Sequence, residues 1–113
     1  GIEYQVATLL ILEGFLSEGL SIVSAVRRRF DGIRRNPFSE MECGNHYARS
    51  LASYGVLAAL CGLEVTPEGK ISFDPRINVE NFHCFYCDGR HFGLLHQTVT
   101  AEGTKKQSVE ILL

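Results

Sequence analysis

A chain of 113 residues with 45% apolar and 21% charged residues has the composition of one globular domain and not of a disordered or fibrous segment. Eleven basic side chains against thirteen acidic ones leave a net charge of -2, so no global field draws the chain to nucleic acid or to an anionic membrane. No apolar run reaches the roughly 18 residues of a bilayer span, and the opening GIEYQVATLL has neither a basic n-region nor a small-residue cleavage site. The expectation is no transmembrane segment, no export signal in what is present, and a cytoplasmic setting.

In chain order, EYQVATLLILE (Glu3 to Glu13) is apolar on nearly every side over a helical length, with Gly14 as its stop. A helix of that kind is enclosed by other helices. Leu16, Leu20, Val23 and Phe30, joined by Ile22 and Val26, form an apolar stripe on a second helix, whose last turn holds Arg27, Arg28 and Arg29 where cations suit the dipole. Asp31 to Gly44 has no period and contains Asp-Gly and Asn-Pro, so it reads as a loop about twice the common length. A third helix is predicted from the N-cap Asn45 to the stop Gly62. One face carries Tyr47, Leu51, Tyr54, Ala58 and Cys61, and a small-residue face of Ala48, Ala52, Gly55 and Ala59 admits a close neighbour.

From Thr66 the pattern changes to strands: KISF, NFHCFYC, RHFGLLHQTVT and QSVEILL, with turns at Asp88-Gly89 and Glu102-Gly103. Asp-Gly between two β-prone runs signals a tight type I′ hairpin turn. The fold class is therefore α+β: helical over residues 1–63, then a small antiparallel β meander over 64–113, with no internal repeat. Gly1 opens directly on a helical pattern and SVEILL is an apolar ending, so the expectation is a piece of something longer.

Four constellations carry chemistry. Cys43 and His46 with Cys84 and Cys87 have the count of a structural zinc site, but a three-residue offset in a strand sends Cys84 and Cys87 to opposite faces. No metal or cofactor is expected, and the four cysteines, whose spacing is not that of a secreted scaffold, are read as reduced thiols. Arg27, Arg28, Arg29, Arg34 and Arg35 cluster without interleaved aromatics, which argues a solvated helix end over a nucleic-acid surface. A Cys43–His46 nucleophile pair lacks an orienting third group. The remaining tract sets Glu40, Glu42, His46 and Arg49 at a helix mouth beside Phe38 and Tyr47. Carboxylate and guanidinium together bind adjacent sugar hydroxyls, and rings cover the C–H face; a plain Arg–Glu pair fixing the loop to the helix is the alternative.

EYQVA (Glu3 to Ala7), EGL (Glu18 to Leu20), RRNP followed by E-x-E-C-G-x-H-Y-A-R (Glu40 to Arg49) and the helix at Ser53-Tyr54-Gly55 resemble the C-terminal part of the catalytic domain of glycoside hydrolase family 116, the β-glucosidase and non-lysosomal glucosylceramidase family. ISFDPRI and FHCFYCDGRHFGLLHQ look like the β-rich end that follows its helices. The resemblance implies that the three helices belong to an (α/α)6 barrel, which accounts for the all-round apolar character of the first. It also implies a retaining β-glycosidase whose two catalytic carboxylates lie upstream of Gly1. Glu40 and Arg49, and less directly Glu42 and His46, would then contact a β-glucoside or glucosylceramide-type sugar, with the rest of the barrel or a second copy as partner. This chain alone would be inactive. The rival expectation is a non-catalytic binding or self-association module that kept this segment.

Overall fold

The structure, a computed structural model, describes residues 1–37 and 49–112. The chain is α+β and divides into two compact units, Gly1–Ala59 and Leu60–Leu113.

In the first unit α1 (Ile2–Leu12) and α2 (Leu16–Arg29) form an antiparallel hairpin. Tyr4, Ala7 and Ile11 face inward from α1, and Gly19 and Val26 from α2. The two helices approach closely at Gly19, where an added Cβ would lie 2.7 Å from Ile11 Cγ1 and 2.9 Å from the Ala7 carbonyl oxygen. Any larger residue must push the pair apart, because one obstacle is backbone. Arg29, in the last turn of α2, pairs with Glu3 in the first turn of α1. Each charge thus sits at the helix end whose dipole favours it.

A 3₁₀ turn, Arg49–Ala52, leads into α3 (Ser53–Cys61). The small-residue face does admit a neighbour: a Cβ on Gly55 would stand 3.0 Å from Thr8 Oγ1 of α1. The other predicted face, as far as it is described, is open from Leu51 to Ala58 and buried at Cys61. Leu51 and Tyr54 are exposed, and the inward residues are Val56, Ala59 and Cys61.

The second unit holds two antiparallel sheets. β1 (Glu64–Val65) pairs with β2 (Ile71–Ser72) in a short hairpin of its own, so the predicted KISF strand is not the first strand of the meander. β3 (Asn81–Cys87), β4 (Phe92–Val99) and β5 (Lys105–Leu112) form the meander in sequential order. The β1–β2 and β4–β5 connections use the same turn chemistry, T-x-E-G, at Thr66–Gly69 and Thr100–Gly103. In each, the glycine N–H donates 2.9 Å to the threonine carbonyl oxygen, and the next residue's N–H donates to the threonine hydroxyl. The glycines have φ of 84°, the left-handed position that closes a type I turn with a bulge.

Phe82, Cys84 and Tyr86 alternate inward from β3 and pack with Leu95, Cys61, Phe73 and Ile77, Tyr86 meeting Phe73 edge-on at 5.1 Å. A side-chain amide also lies in this interior. Gln97 is fully buried, donates 2.8 Å to the Val79 carbonyl oxygen and accepts 2.7 Å from Gln107 Nε2, which also lies 3.1 Å from the Phe73 carbonyl oxygen. This amide pair binds β4 and β5 to the segment between β2 and β3.

Leucine at position 97 keeps the bulk but strands the Val79 carbonyl and one Gln107 proton. Urea unfolding of the Gln97→Leu chain is expected to show a loss of about 1–3 kcal/mol, whereas Thr98→Leu, on the open face, stays within about 0.5 kcal/mol.

Candidate functional site

Of the residues singled out from sequence, Glu40, Glu42 and His46 lie outside the described residues, as do Phe38, Cys43 and Tyr47. Arg49 is placed at the first position of the 3₁₀ turn before α3. The loop that leads toward the tract starts with an ordered turn: Asp31 Oδ1 accepts from the N–H groups of Arg34 at 2.8 Å and Ile33 at 3.0 Å, which hold its carboxyl below the usual range. Three of the five clustered arginines have side-chain partners in the same unit. Besides the Arg29–Glu3 pair, Arg34 stands 4.0 Å from Asp31 and Arg35 lies over the Phe30 ring at 5.6 Å.

The sheet carries a second group of polar side chains. β3 and β4 pair with Cys87 opposite Phe92 and His83 opposite His96. Their connection is the four residues Asp88 to His91, not the two of a type I′ turn. Only Gly89 has a positive φ, and Asp88 Oδ1 accepts from the N–H groups of Arg90 at 2.7 Å and His91 at 2.6 Å. Those two donors, His91 first, hold the Asp88 carboxyl below its ordinary value. A two-residue turn would have put His83 opposite Leu94. The observed register instead stacks the His83 and His96 rings, with centroids 4.0 Å apart and planes 15° from parallel. Both Nε2 atoms reach Asn81 Oδ1, at 3.0 Å from His83 and 3.3 Å from His96. The pair lines a groove of about 300 Å³ with Leu94, Ser108 and Glu110.

Cys84 and Cys87 fall on opposite faces of β3, Cys84 buried and Cys87 exposed. Cys84 lies against Cys61 inside the unit. Burial, with the Cys84 thiol beside it, pushes Cys61 up to about 12, and burial raises Cys84 as well. Both are packing thiols held protonated, since only a thiolate is a good nucleophile or metal ligand. Among the described residues no three His, Cys, Asp or Glu side chains converge on one point, and no helix is long and apolar enough to cross a membrane.

Comparison with protein-family models, with curated proteins and with solved structures finds no match to this chain.

The histidine pair was missed in the sequence because the residues are thirteen apart and carry no motif. The signal that finds them is loop length: with four residues in the β3–β4 connection they are direct cross-strand partners.

In a Cys43→Ser background, a thiol reagent is expected to label Cys87 quickly in the native chain, and Cys61 and Cys84 only after denaturation; mass spectrometry of labelled peptides reads this directly. Asp88 adds stability that is fully present above the unfolded-state carboxylate pKa and is lost as pH falls through its lower folded value. The Asp88→Asn substitution, which keeps an Oδ1 acceptor without the charge, should flatten that acid limb. Acid titrations of the native chain and Asp88→Asn are expected to differ above about pH 4 and to converge below it.

Proposed function

We propose that this chain is the C-terminal segment of a β-glycosidase resembling glycoside hydrolase family 116, supplying sugar-binding groups but not the catalytic carboxylates. The tract E-x-E-C-G-x-H-Y-A-R from Glu40 to Arg49 carries this reading. In it, Glu40 and Arg49 hold glucose hydroxyls at the mouth of an (α/α)6 barrel, with Glu42 and His46 beside them. A retaining mechanism needs two carboxylates about 5–5.5 Å apart across the scissile bond, and in this reading both come from the preceding part of the parent chain.

One structural observation supports a barrel setting. Tyr4, Ala7 and Ile11 are buried on one side of α1, while Ile2, Val6, Leu9 and Leu12 on its opposite side are 44–62% exposed. A helix apolar on both sides, with only one side covered, fits a layer that has further helices against it. The same stripe supports the alternative of a self-associating module in which a second copy supplies the cover.

Kinetics in the parent test the main reading. If Glu40 and Arg49 bind hydroxyls through charge-assisted hydrogen bonds, Glu40→Gln and Arg49→Ala should each lower kcat/KM by about 10- to 150-fold with little change in Tm. Arg49→Lys should lose much of the same activity, since it keeps charge without the planar fork. Full activity with an early melt would instead identify a structural Arg–Glu pair, and a larger kinetic loss at Glu42→Gln would exchange the two carboxylates. The isolated 113-residue chain is expected to show no turnover of an aryl β-glucoside. Sedimentation tests the alternative: a dimer abolished by Val6→Lys and Leu9→Lys would favour the module.

A further inference from the structure

The open face of the β3–β4–β5 sheet has one feature that neither packing nor the proposed sugar chemistry uses. His83 and His96 are directly paired across adjacent strands, and both Nε2 atoms lie within 3.3 Å of one oxygen, Asn81 Oδ1. Two imidazole nitrogens that reach a common point are the minimum of a chelate, and the site lies on the sheet's open face and not in its core. We propose that His83 and His96 bind a divalent transition-metal ion through their Nε2 atoms, with the Asn81 side-chain carbonyl beside the ion as a further oxygen donor.

The chemistry of the surroundings fits this class of ion. Imidazole suits Cu²⁺, Ni²⁺ and Zn²⁺, whereas Ca²⁺ and Mg²⁺ require sets of oxygens that this face does not offer. The Nε2 lone pairs lie in the ring planes, which are only 15° from parallel at a 4.0 Å separation, so the rings must tilt for both lone pairs to meet one ion at the usual distance of about 2.0–2.1 Å. Both are side chains on the open face, so their rings can reorient without disturbing the backbone ladder. The groove of about 300 Å³ leaves room for water to complete the coordination sphere, and Glu110 on its wall supplies a negative charge that offsets the cation. The backbone ladder fixes the separation of the two Cα atoms, so little ordering of main chain is needed on binding.

A site of this kind also clamps β3 to β4. An ion that binds the folded pair and not the unfolded chain raises stability by mass action. The test is calorimetric titration of the full chain with Ni²⁺ in a non-chelating buffer, followed by thermal melts with and without the ion. The expected result is one ion per chain, weakened at least about tenfold by either His83→Gln or His96→Gln and unchanged by His91→Gln, since losing even a group that only supports a ligand costs about 10- to 100-fold in metal affinity. Native-chain Tm should rise with Ni²⁺, and that rise should vanish in both variants, each checked for native circular dichroism. Absence of Ni²⁺ binding by the native chain would overturn the proposal. So would undiminished affinity in either folded variant, or loss of binding in His91→Gln, which would place the ion at the turn.

Discussion

The carboxylate of Asp88 sets the geometry on which the sheet depends. By accepting from the N–H groups of Arg90 and His91 it satisfies two backbone donors that a tight turn would have left to solvent, and so stabilises a four-residue connection. Connection length fixes register, and register fixes which side chains meet. With Cys87 opposite Phe92, Cys84 faces Leu95 inside and His83 faces His96 outside. Shortening the connection by two residues would preserve the face of every side chain while moving each to a new partner. Core composition would be unchanged, yet the histidine stack would be gone.

Why the register holds against such a slip is a question of polar satisfaction. Apolar residues in the core tolerate rearrangement, but the Gln97 amide does not, because its partners are backbone and Gln107 at defined distances of 2.8 and 2.7 Å. Gln97 and Gln107 are cross-strand partners in the β4–β5 ladder, so a slip of β5 would part the two amides. A buried amide without partners costs about as much as several well-packed methylenes contribute, which makes it a strong discriminator between registers and a weak source of net stability. The turn and the amide therefore act at different places: Asp88 holds the β3–β4 end, and Gln97 holds the β4–β5 pair to the segment carrying Val79.

Much of this architecture was legible in the sequence, for identifiable reasons. Helix α1 was readable as an apolar run of helical length stopped by Gly14, α2 as a periodic apolar stripe ending in an arginine-rich last turn, and the meander because alternation of period two survives any error in turn length. The partners across the strands were not, since Asp-Gly serves both a two-residue turn and a longer one capped by the aspartate side chain. Only the hydrogen bonds of Asp88 separate the two. The repeated T-x-E-G turns were legible in principle, as the spacing of threonine and glycine is the same in both, but β1 is only Glu64–Val65, too short to announce a strand. The polar tract at Glu40 to Arg49 was the loudest signal in the sequence. Its chemistry rests on residue types and spacing, with Arg49 alone located, at the start of the 3₁₀ turn.

The two units also differ in how completely they bury what they fold. Every residue of β5 up to Ile111 is exposed, including Val109 at 40% and Ile111 at 56%, and α1 leaves a full apolar stripe uncovered. Scattered exposed apolar residues need no explanation, but rows at helical and strand spacing do, because each row is half of a packing surface. On α1 the row has the 3.6-residue period of a helix–helix contact, and its removal from water requires a partner with a matching groove. On β5 the row belongs to an edge strand whose Lys105 and Lys106 discourage edge pairing at one end, leaving the apolar end to be covered face-on. These are different kinds of surface, so a single flat partner does not satisfy both. A second helix laid along α1, from the same polypeptide or from a second copy, would match the period of its exposed row, whereas a sheet or loop would match that of β5.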